Sequence, residues 1–267
     1  MFAHVLVLSY LLVGFTLSTP ISDVSQTEID YELFGGGFEG DMILPPEVLN
    51  PSEEPTGRGV AIAGPRQWPK NTIPYDISLI TDQKDRDMIE AAMNTVTLVT
   101  GFTKPGESTI TPCVTFRPKM SNEFQYLKIQ YGTGCSATVG YTLFKKTLNL
   151  EKNGCFTPGI IQHELTHVLG FYHEQSRPDR DLYITINHGN VAKGKGHNFN
   201  KYLWGGSVLN QNSTYDYDSI MHYGSHSFSS NGQPTIVANV PGVRIGQRQK
   251  LSPTDISEIR SFYGCEA

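Results

Sequence analysis

The sequence predicts one α+β domain with two lobes, preceded by a segment outside the folded domain. Two patterns alternate in the first half of the domain. Some stretches have apolar residues at helical spacing, and others are short apolar clusters typical of strands. A long region, roughly 175–250, is rich in Gly, Asn, Ser and Tyr and has little periodicity. The length of 267 residues and the 38% hydrophobic content allow a sizeable core.

The N-terminus is typical of a secretory signal peptide. Residues 5–15 (VLVLSYLLVGF) form an apolar run that is too short to span a bilayer, and small residues follow at Thr16, Ser18 and Thr19. A buried N-terminal helix is the alternative. We therefore predict a signal peptide over residues 1–19, and a secreted, extracellular protein with no membrane span.

Residues 20–58 are rich in Gly, Pro and acidic side chains, which favours an exposed tether. Residues 1–58 hold nine acids and one base, Arg58, whereas residues 59–267 carry a net charge of +3. An acidic segment ahead of a mildly basic domain suits an intramolecular cover, although a solvated tail has the same charge. The charge gives no reason to expect nucleic acid. Arg58 is a predicted cleavage point for a trypsin-like protease.

Three helices are predicted within the domain. Thr81 can cap the first helix, and Gly170 can end the second, which runs over 161–169, because glycine tolerates positive φ. Ser252 and Pro253 are the N-cap and first residue expected of the third. Apolar residues recur at helical spacing in the first helix at Ile89, Ala92, Met93, Val96 and Val99.

Two stretches, 113–117 and 126–131, are predicted as strands. The residues just before the first of them, 100–112, are expected to form a surface loop. Four cysteines in a secreted chain indicate two disulfides, with three possible pairings. A thiolate zinc site is not expected because the sequence has no CxxC pair. The cysteines are Cys113, Cys135, Cys155 and Cys265.

The stretch HELTHVLGFYHE, residues 163–174, predicts a catalytic zinc site. His163 and His167 are four residues apart, so on a helix they lie on one face and can bind one Zn²⁺. Gly170 allows a sharp turn that brings back His173 as a third ligand. Three protein ligands leave the fourth position open, which is the arrangement of catalytic rather than structural zinc.

Glu164 follows the first histidine directly, which places its carboxylate beside the metal rather than on it. There it can take a proton from the attacking water as general base and later return it as general acid. The alternative is a buried helix with core histidines. That alternative would leave three histidines and a glutamate inside the protein without partners, which is costly.

The motif HExxHxxGxxH, together with the turn Ser219-Ile220-Met221-His222-Tyr223, resembles the metzincins. Glu174 after the third histidine and Tyr223 after the methionine resemble the astacin family of zinc endopeptidases. The resemblance covers about 200 residues, from Arg66 to Cys265. It implies a metzincin fold over residues 59–267, whose N-terminal lobe has a twisted mixed sheet and two long helices. The C-terminal lobe would be mostly irregular with a C-terminal helix.

The resemblance also implies roles for single residues. Tyr223 would bind one zinc ion per chain in the resting enzyme and stabilise the oxyanion when substrate is bound. Met221 would form an apolar floor under the histidines, and Glu174 would pair with the ammonium of a mature N-terminus at Gly59. The disulfides would be Cys113–Cys265 and Cys135–Cys155.

FEGD, residues 38–41, resembles the F-x-G-D pattern of astacin propeptides, whose aspartate binds the catalytic zinc. Asp41 would be that latch within a propeptide of residues 20–58, and Gly40 would let the backbone approach the metal. A carboxylate oxygen is a competent zinc ligand. The alternative is an ordinary Gly-Asp turn.

Together these patterns predict a secreted zinc endopeptidase that is made as a latched zymogen and cuts internal bonds of extracellular proteins. Egg-coat, matrix or dietary proteins are the substrate classes expected from family members of this size. A non-catalytic binding module with a vestigial zinc site and a zinc exopeptidase are the alternatives. Asn212, in Asn212-Ser213-Thr214, is a candidate glycosylation site. We expect a monomer.

Overall fold

A computed structural model of the chain describes residues 30–44, 66–104, 106–204, 208–209 and 211–265. The predicted signal peptide (1–19) and the predicted cleavage point at Arg58 and Gly59 lie outside the described residues, as does much of the predicted propeptide. In the described parts of the chain, no helix is both long enough and apolar enough to cross a membrane.

The three predicted helices are present, as α1 (Gln83–Val99), α2 (Pro158–Val168) and α3 (Pro253–Phe262). The predicted cap of α1 is wrong by one residue, because the Asp82 carboxylate, rather than Thr81, accepts from the Lys84 N–H. Aspartate and threonine are both good N-caps, so the sequence alone does not separate them. The predicted apolar face of α1 is buried at Ile89, Ala92, Met93 and Val96.

Helix α2 begins three residues earlier than predicted. The Thr157 side chain accepts from the Ile160 N–H, and Pro158 occupies the first helical position, where a missing N–H costs nothing. Gly170, just beyond the end of the helix, has φ of 109°, a conformation that favours glycine. The chain therefore turns sharply after α2, as predicted.

A six-stranded mixed sheet packs against α1 and α2. Its order is β1-β7-β8-β6-β2-β5, in which β2, β5, β6 and β8 are parallel to one another and β7 is antiparallel to β8. The strands, with the four outside this sheet, are β1 (Met42–Ile43), β2 (Thr72–Asp76), β3 (Phe102–Thr103), β4 (Ile110–Thr111), β5 (Thr115–Pro118), β6 (Leu127–Tyr131), β7 (Ser136–Thr138), β8 (Lys146–Leu150), β9 (Ile184–Ile186) and β10 (Ile236–Ala238).

Residues 30–44, called here the N-terminal segment, are packed into the domain. A short 3₁₀ helix (Tyr31–Phe34) is followed by β1, which adds to the edge of the sheet parallel to β7. Met42, Asp41 and Glu39 are buried. The prediction of an exposed tether is therefore wrong for these residues: their burial comes from contacts with the distant domain, which no local pattern reveals.

The second half of the domain is mostly irregular, as predicted, with one small sheet of β9 and β10. It has a hydrophobic cluster of its own around Phe199, Tyr215 and Ile236, apart from the large cluster between the main sheet and the helices. Helix α3 closes the chain with a capping box between Ser252 and Asp255. The predicted loop before Cys113 is a small hairpin of β3 and β4.

Two disulfides connect the four cysteines. Cys113 is bonded to Cys265, with a Cα–Cα distance of 5.6 Å, and Cys135 to Cys155, with a Cα–Cα distance of 5.8 Å. This is the pairing that the resemblance implies. The first bond ties the strand region after α1 to the end of α3, across 152 residues.

Candidate active site

The first two predicted ligands project from α2 with their rings fixed by backbone carbonyls. His163 Nδ1 lies 2.8 Å from the Ile220 carbonyl oxygen, and His167 Nδ1 lies 2.7 Å from that of Phe171. A carbonyl oxygen only accepts, so each Nδ1 carries the proton and each Nε2 keeps its lone pair. Neutral imidazoles with a free Nε2 are the form that binds metal.

His173 comes back to the same point because the chain turns at Gly170. The rings of His163 and His173 lie 5.4 Å apart between centroids, and those of His167 and His173 lie 4.8 Å apart. All three histidines are fully buried. The structure therefore brings together the three ligands that the sequence predicts.

The Asp41 carboxylate lies where the three histidines converge. Its Oδ2 is 3.1 Å from His163 Nε2 and 3.2 Å from His173 Nε2, and its Oδ1 is 3.5 Å from His167 Nε2. The predicted latch residue thus reaches the predicted zinc site, with the ligand atoms of all four side chains within 4.8 Å of one another.

The donor set fits a zinc ion. Three imidazole nitrogens and one carboxylate oxygen are common zinc ligands in a tetrahedral site. Two of the buried atoms that face this point, His167 Nε2 and Asp41 Oδ1, have no hydrogen-bond partner among the described residues. A buried polar atom without a partner is costly, and a bound cation would satisfy both.

The electrostatics of the site also favour a cation. Burial raises the pKa of Asp41, but the nearby His173 and His167 outweigh it and hold that pKa well below its usual range. Burial lowers the pKa of His167 to about 4, so this ring stays neutral. Burial also lowers the pKa of His173, yet Asp41 and Glu39 together raise it to about 9. The carboxylates therefore attract positive charge to this point.

Glu164, the predicted general base, is fully buried, and neither of its carboxylate oxygens has a hydrogen-bond partner in the described parts of the chain. Burial raises the pKa of Glu164 well above its ordinary value, and the negative charge of Asp41 raises it further. A carboxyl group without a fixed partner and with a raised pKa is suited to accept and release a proton.

Tyr223 lies beside the site, with its ring centroid 4.6 Å from that of His173. Its hydroxyl donates to the backbone oxygen of Glu39 in the N-terminal segment. Burial raises the pKa of Tyr223 well above its ordinary value, so the hydroxyl keeps its proton and remains a donor. A role for Tyr223 as a zinc ligand without the N-terminal segment stays a prediction.

The methionine turn is anchored to α3 by Asp255. This buried carboxylate accepts from Ser219 Oγ at 2.7 Å, from the Ile220 N–H at 2.9 Å and from the Ser252 N–H at 2.8 Å. Asp255 holds Ile220 in place, and the Ile220 carbonyl in turn orients His163. Asp255 therefore supports the metal site indirectly. Met221 is buried in the main hydrophobic cluster, as an apolar floor requires.

Glu174 lies in a buried cluster that contains more acids than bases. Its carboxylate accepts from the Asp216 N–H at 2.8 Å and pairs with Arg177 at 3.2 Å. Arg177 also binds Asp179, and Glu258 lies 3.9 Å from it. Burial raises the pKa of Glu174 well above its ordinary value although Arg177 lowers it, so one arginine does not balance these carboxylates.

Sequence reasoning missed two acids of the N-terminal segment that contact the site. Glu39 is fully buried, with Oε2 2.9 Å from His173 Nδ1. Glu32 forms a buried ion pair with Arg248, whose Nη2 lies 2.7 Å from Oε2. Burial raises the pKa of Glu32, but Arg248 outweighs this and lowers it. In the sequence, only the acidic charge of residues 1–58 indicated that this part of the chain could bind the domain.

Asn212, the predicted glycosylation site, is exposed and has φ of 59°. It is thus at the surface, and its glycosylation stays a prediction.

The model of the Astacin peptidase family matches residues 61–264. The chain belongs to the astacin family. The family is one of peptidases, and in this chain the three histidines and Asp41 form a group of side chains that can hold a metal ion. The match covers the three helices, the methionine turn and every strand of the main sheet except β1.

Known members of the family are similar over most of this chain. It is 38% identical to blastula protease 10 of Paracentrotus lividus over 250 residues, which are 86% of this chain and 39% of that protein. It is 33% identical to the low choriolytic enzyme of Oryzias latipes, over 85% of this chain and 78% of that protein. The chain thus spans about two fifths of the length of blastula protease 10.

A solved structure supports the fold. High choriolytic enzyme 1, a hatching-enzyme zinc protease from Oryzias latipes, is 36% identical to this chain, with a TM-score of 0.63. The alignment covers 75% of this chain and 94% of that structure. The predicted two-lobed α+β fold of the metzincin type is therefore confirmed.

Proposed function

We propose that the chain is a secreted zymogen of a zinc endopeptidase whose residues 20–58 block its own active site. The signal peptide would be residues 1–19 and the catalytic domain residues 59–267. The observation that carries the proposal is the position of the Asp41 carboxylate between the three histidines. A carboxylate there takes the position that water needs in a catalytic zinc site.

When bound by His163, His167 and His173, zinc would act as a Lewis acid that polarises the scissile carbonyl and makes water a better nucleophile. Glu164 accepts a proton from the attacking water and delivers it to the leaving amine. The buried carboxyl of Glu164 has no competing hydrogen bond among the described residues, which keeps it free for both transfers.

Tyr223 would stabilise the oxyanion. Its hydroxyl already donates to a backbone carbonyl oxygen, that of Glu39. After the N-terminal segment leaves, the same donor is available to the carbonyl oxygen of a substrate. Donors aimed at an oxygen on which negative charge develops are a large source of rate acceleration.

The edge strand β7 would bind the substrate backbone. The N-terminal segment occupies this edge through β1, with Met42 opposite Ala137 and Ile43 opposite Thr138. Once these residues leave, the unpaired edge can take an extended chain by strand addition. An extended chain that runs through the cleft places an internal bond at the zinc, which favours an endopeptidase over an exopeptidase.

Activation would follow cleavage by a trypsin-like protease after Arg58. The new ammonium at Gly59 would then pair with Glu174. The surplus of acids around Glu174 supports this pairing, because a buried cluster with one arginine and several carboxylates favours an added positive charge.

The natural substrates would be extracellular proteins. Two similar proteins are named choriolytic enzymes, one of them a hatching enzyme, and this supports an egg coat as one substrate class. Matrix and dietary proteins are the other classes. Two disulfides agree with a secreted protein. We further propose a monomer with a glycan at Asn212.

The proposal is tested by a peptide-library cleavage profile of the precursor cut at Arg58, beside its Glu164→Gln variant. We expect cleavage at internal bonds by the wild type and a loss of rate of about 10²–10⁴-fold in the variant. Gln keeps the shape of the side chain, and Glu164 has no hydrogen bond to lose among the described residues. Removal of terminal residues only would indicate an exopeptidase. Zinc binding without any cleavage would indicate the binding module.

A further inference from the structure

The three histidines differ in what holds their second ring nitrogen. The Nδ1 atoms of His163 and His167 donate to the backbone carbonyls of Ile220 and Phe171, which belong to the domain itself. His173 Nδ1 instead meets the carboxylate of Glu39, at 2.9 Å. One of the three zinc ligands is thus oriented by a side chain of the N-terminal segment.

The Glu39 carboxylate fits its surroundings on both sides. While Oε2 faces His173, Oε1 accepts a hydrogen bond from Ser176 Oγ at 2.8 Å. Glu39, His173 and Ser176 are all fully buried. Two buried hydrogen bonds to one carboxylate, one of them from an imidazole, form a strong and specific contact.

A tight turn presents Glu39 to the domain. Gly37 and Gly40 exchange backbone hydrogen bonds on either side of Phe38 and Glu39, and Glu39 has a φ of 49°, in the left-handed region that such turns use. At this turn the Glu39 carboxylate makes two hydrogen bonds with the domain, and its carbonyl accepts a third from Tyr223.

Two tyrosines border this place. The rings of Tyr172 and Tyr202 lie 4.8 Å apart, and their buried hydroxyls have no hydrogen-bond partner within the described residues. Burial raises the pKa of Tyr202 well above its ordinary value, and the negative charge of Glu39 raises it further. The groups that hydrogen-bond to Glu39 are N–H and O–H donors, which suit an anion.

We propose that His173 Nδ1 and Ser176 Oγ form a carboxylate pocket, distinct from the zinc-binding atoms, that binds an acidic side chain two residues before the latch aspartate. In this chain the acidic side chain is Glu39, the second anchor of the N-terminal segment. The inference rests on the proposed latch, since it assumes that the segment leaves. When it leaves, His173 loses the partner that orients it, so Glu39 also strengthens zinc binding in the precursor.

The first test measures the residual peptidase activity of the uncut precursor, called here the leak, with a fluorogenic peptide. An Arg58→Gln background prevents cleavage at that position. Glu39→Ala is expected to increase the leak roughly 10- to 100-fold, and Ser176→Ala less. The double variant should leak no more than Glu39→Ala, because the two side chains form one contact. Glu107→Ala, at an exposed position of the β3–β4 hairpin, is the matched control.

The second test does not depend on activity. Zinc release from the same precursors to a chromogenic chelator should be about 10-fold faster for Glu39→Ala than for wild type or Glu107→Ala. Glu39→Gln, which keeps an acceptor for Ser176 but loses the charge, should lie between them. Unchanged release and leak in Glu39→Ala would overturn the proposal. Effects of Glu39→Ala and Ser176→Ala that simply add would also overturn it.

The proposal for the Asp41 latch and the proposal for the Glu39 pocket are tested by separate results. If Asp41→Ala leaves the uncut precursor silent, the latch proposal fails. In that case zinc release from Glu39→Ala still decides whether Glu39 supports His173.

Discussion

The helix α2 and the N-terminal segment meet at the same point but are held there in different ways. The rings of His163 and His167 are fixed by backbone carbonyls of the domain. Residues 30–44 pair with the sheet through β1, and at the site they are held by three acidic side chains, Asp41, Glu39 and Glu32, each of which faces a side chain of the domain. The catalytic side is therefore a fixed part of the fold, and the blocking side depends on charge.

This difference suits the release of the segment that we propose. A backbone carbonyl inside a folded domain cannot be withdrawn without unfolding the chain around it. Ion pairs and hydrogen bonds between side chains are lost together once the segment is free to move away, and water replaces them. Four of the nine acids of residues 1–58 lie in residues 30–44, and three of these four make the contacts described.

Asp41→Ala in the uncut precursor is expected to have the largest effect on the blocking side. The Asp41 carboxylate faces three histidines, and each charged hydrogen bond contributes about 1.5–3 kcal/mol. Peptidase leak should rise by roughly 100-fold or more without cleavage at Arg58, as measured with a fluorogenic peptide and checked by the intact mass. The variant Asp41→Ala with Glu164→Gln must be silent, which excludes a contaminating protease. A silent Asp41→Ala precursor would contradict the latch.

A smaller effect is expected from Asp30, which caps the 3₁₀ helix of the segment through the Glu32 N–H. Burial and the negative charge of Glu32 raise the pKa of Asp30 to about 6 from an ordinary value of 3.8, although Arg248 lowers it. The blocked form thus binds the proton more tightly than the released form. Ionised Asp30 therefore weakens the blocked form above about pH 6; this penalty declines as the pH falls below 6 and is lost below about 4.

The Asp30→Asn variant isolates this effect, because asparagine can still cap the helix but carries no charge. At pH 7.5 the wild-type precursor should leak roughly tenfold more than Asp30→Asn, and this ratio should fall steadily as the pH falls from about 6 towards 4. The ratio of the two leaks at each pH cancels the pH dependence of catalysis. A ratio that does not change with pH would show that Asp30 keeps the same pKa in both forms.

The catalytic side was predictable from the sequence because its information is local. The spacing of His163, Glu164 and His167 specifies one face of a helix, and Gly170 specifies where the helix ends. The capping residues of α3 are likewise adjacent in sequence. The order of the strands was not predictable, because β1 pairs with β7 across nearly a hundred residues and short strands carry no signal for their partners.

The blocking side was predictable only at Asp41, through a resemblance of four residues. Glu39 and Glu32 lie in a Gly-rich stretch without periodicity, where an acid is usually solvated. Their partners, Ser176 and Arg248, are more than 130 residues away, so only the folded chain reveals the contacts. The burial of residues 30–44 was missed for the same reason, since contacts between side chains distant in sequence leave no local pattern.

Thr157→Ala should have the smallest effect and should act on stability alone. The Thr157 side chain accepts from the Ile160 N–H at the start of α2, and loss of an N-cap costs about 1 kcal/mol. This should lower the melting temperature of the precursor by about 2–4 °C, measured by calorimetry, and Thr157→Ser should restore it. Leak and catalytic rate should stay unchanged, because the backbone carbonyls that orient His163 and His167 remain in place. An increase in leak would show that the two sides of the site are coupled through the start of α2, which would contradict the separation between a fixed catalytic side and a charge-held blocking side.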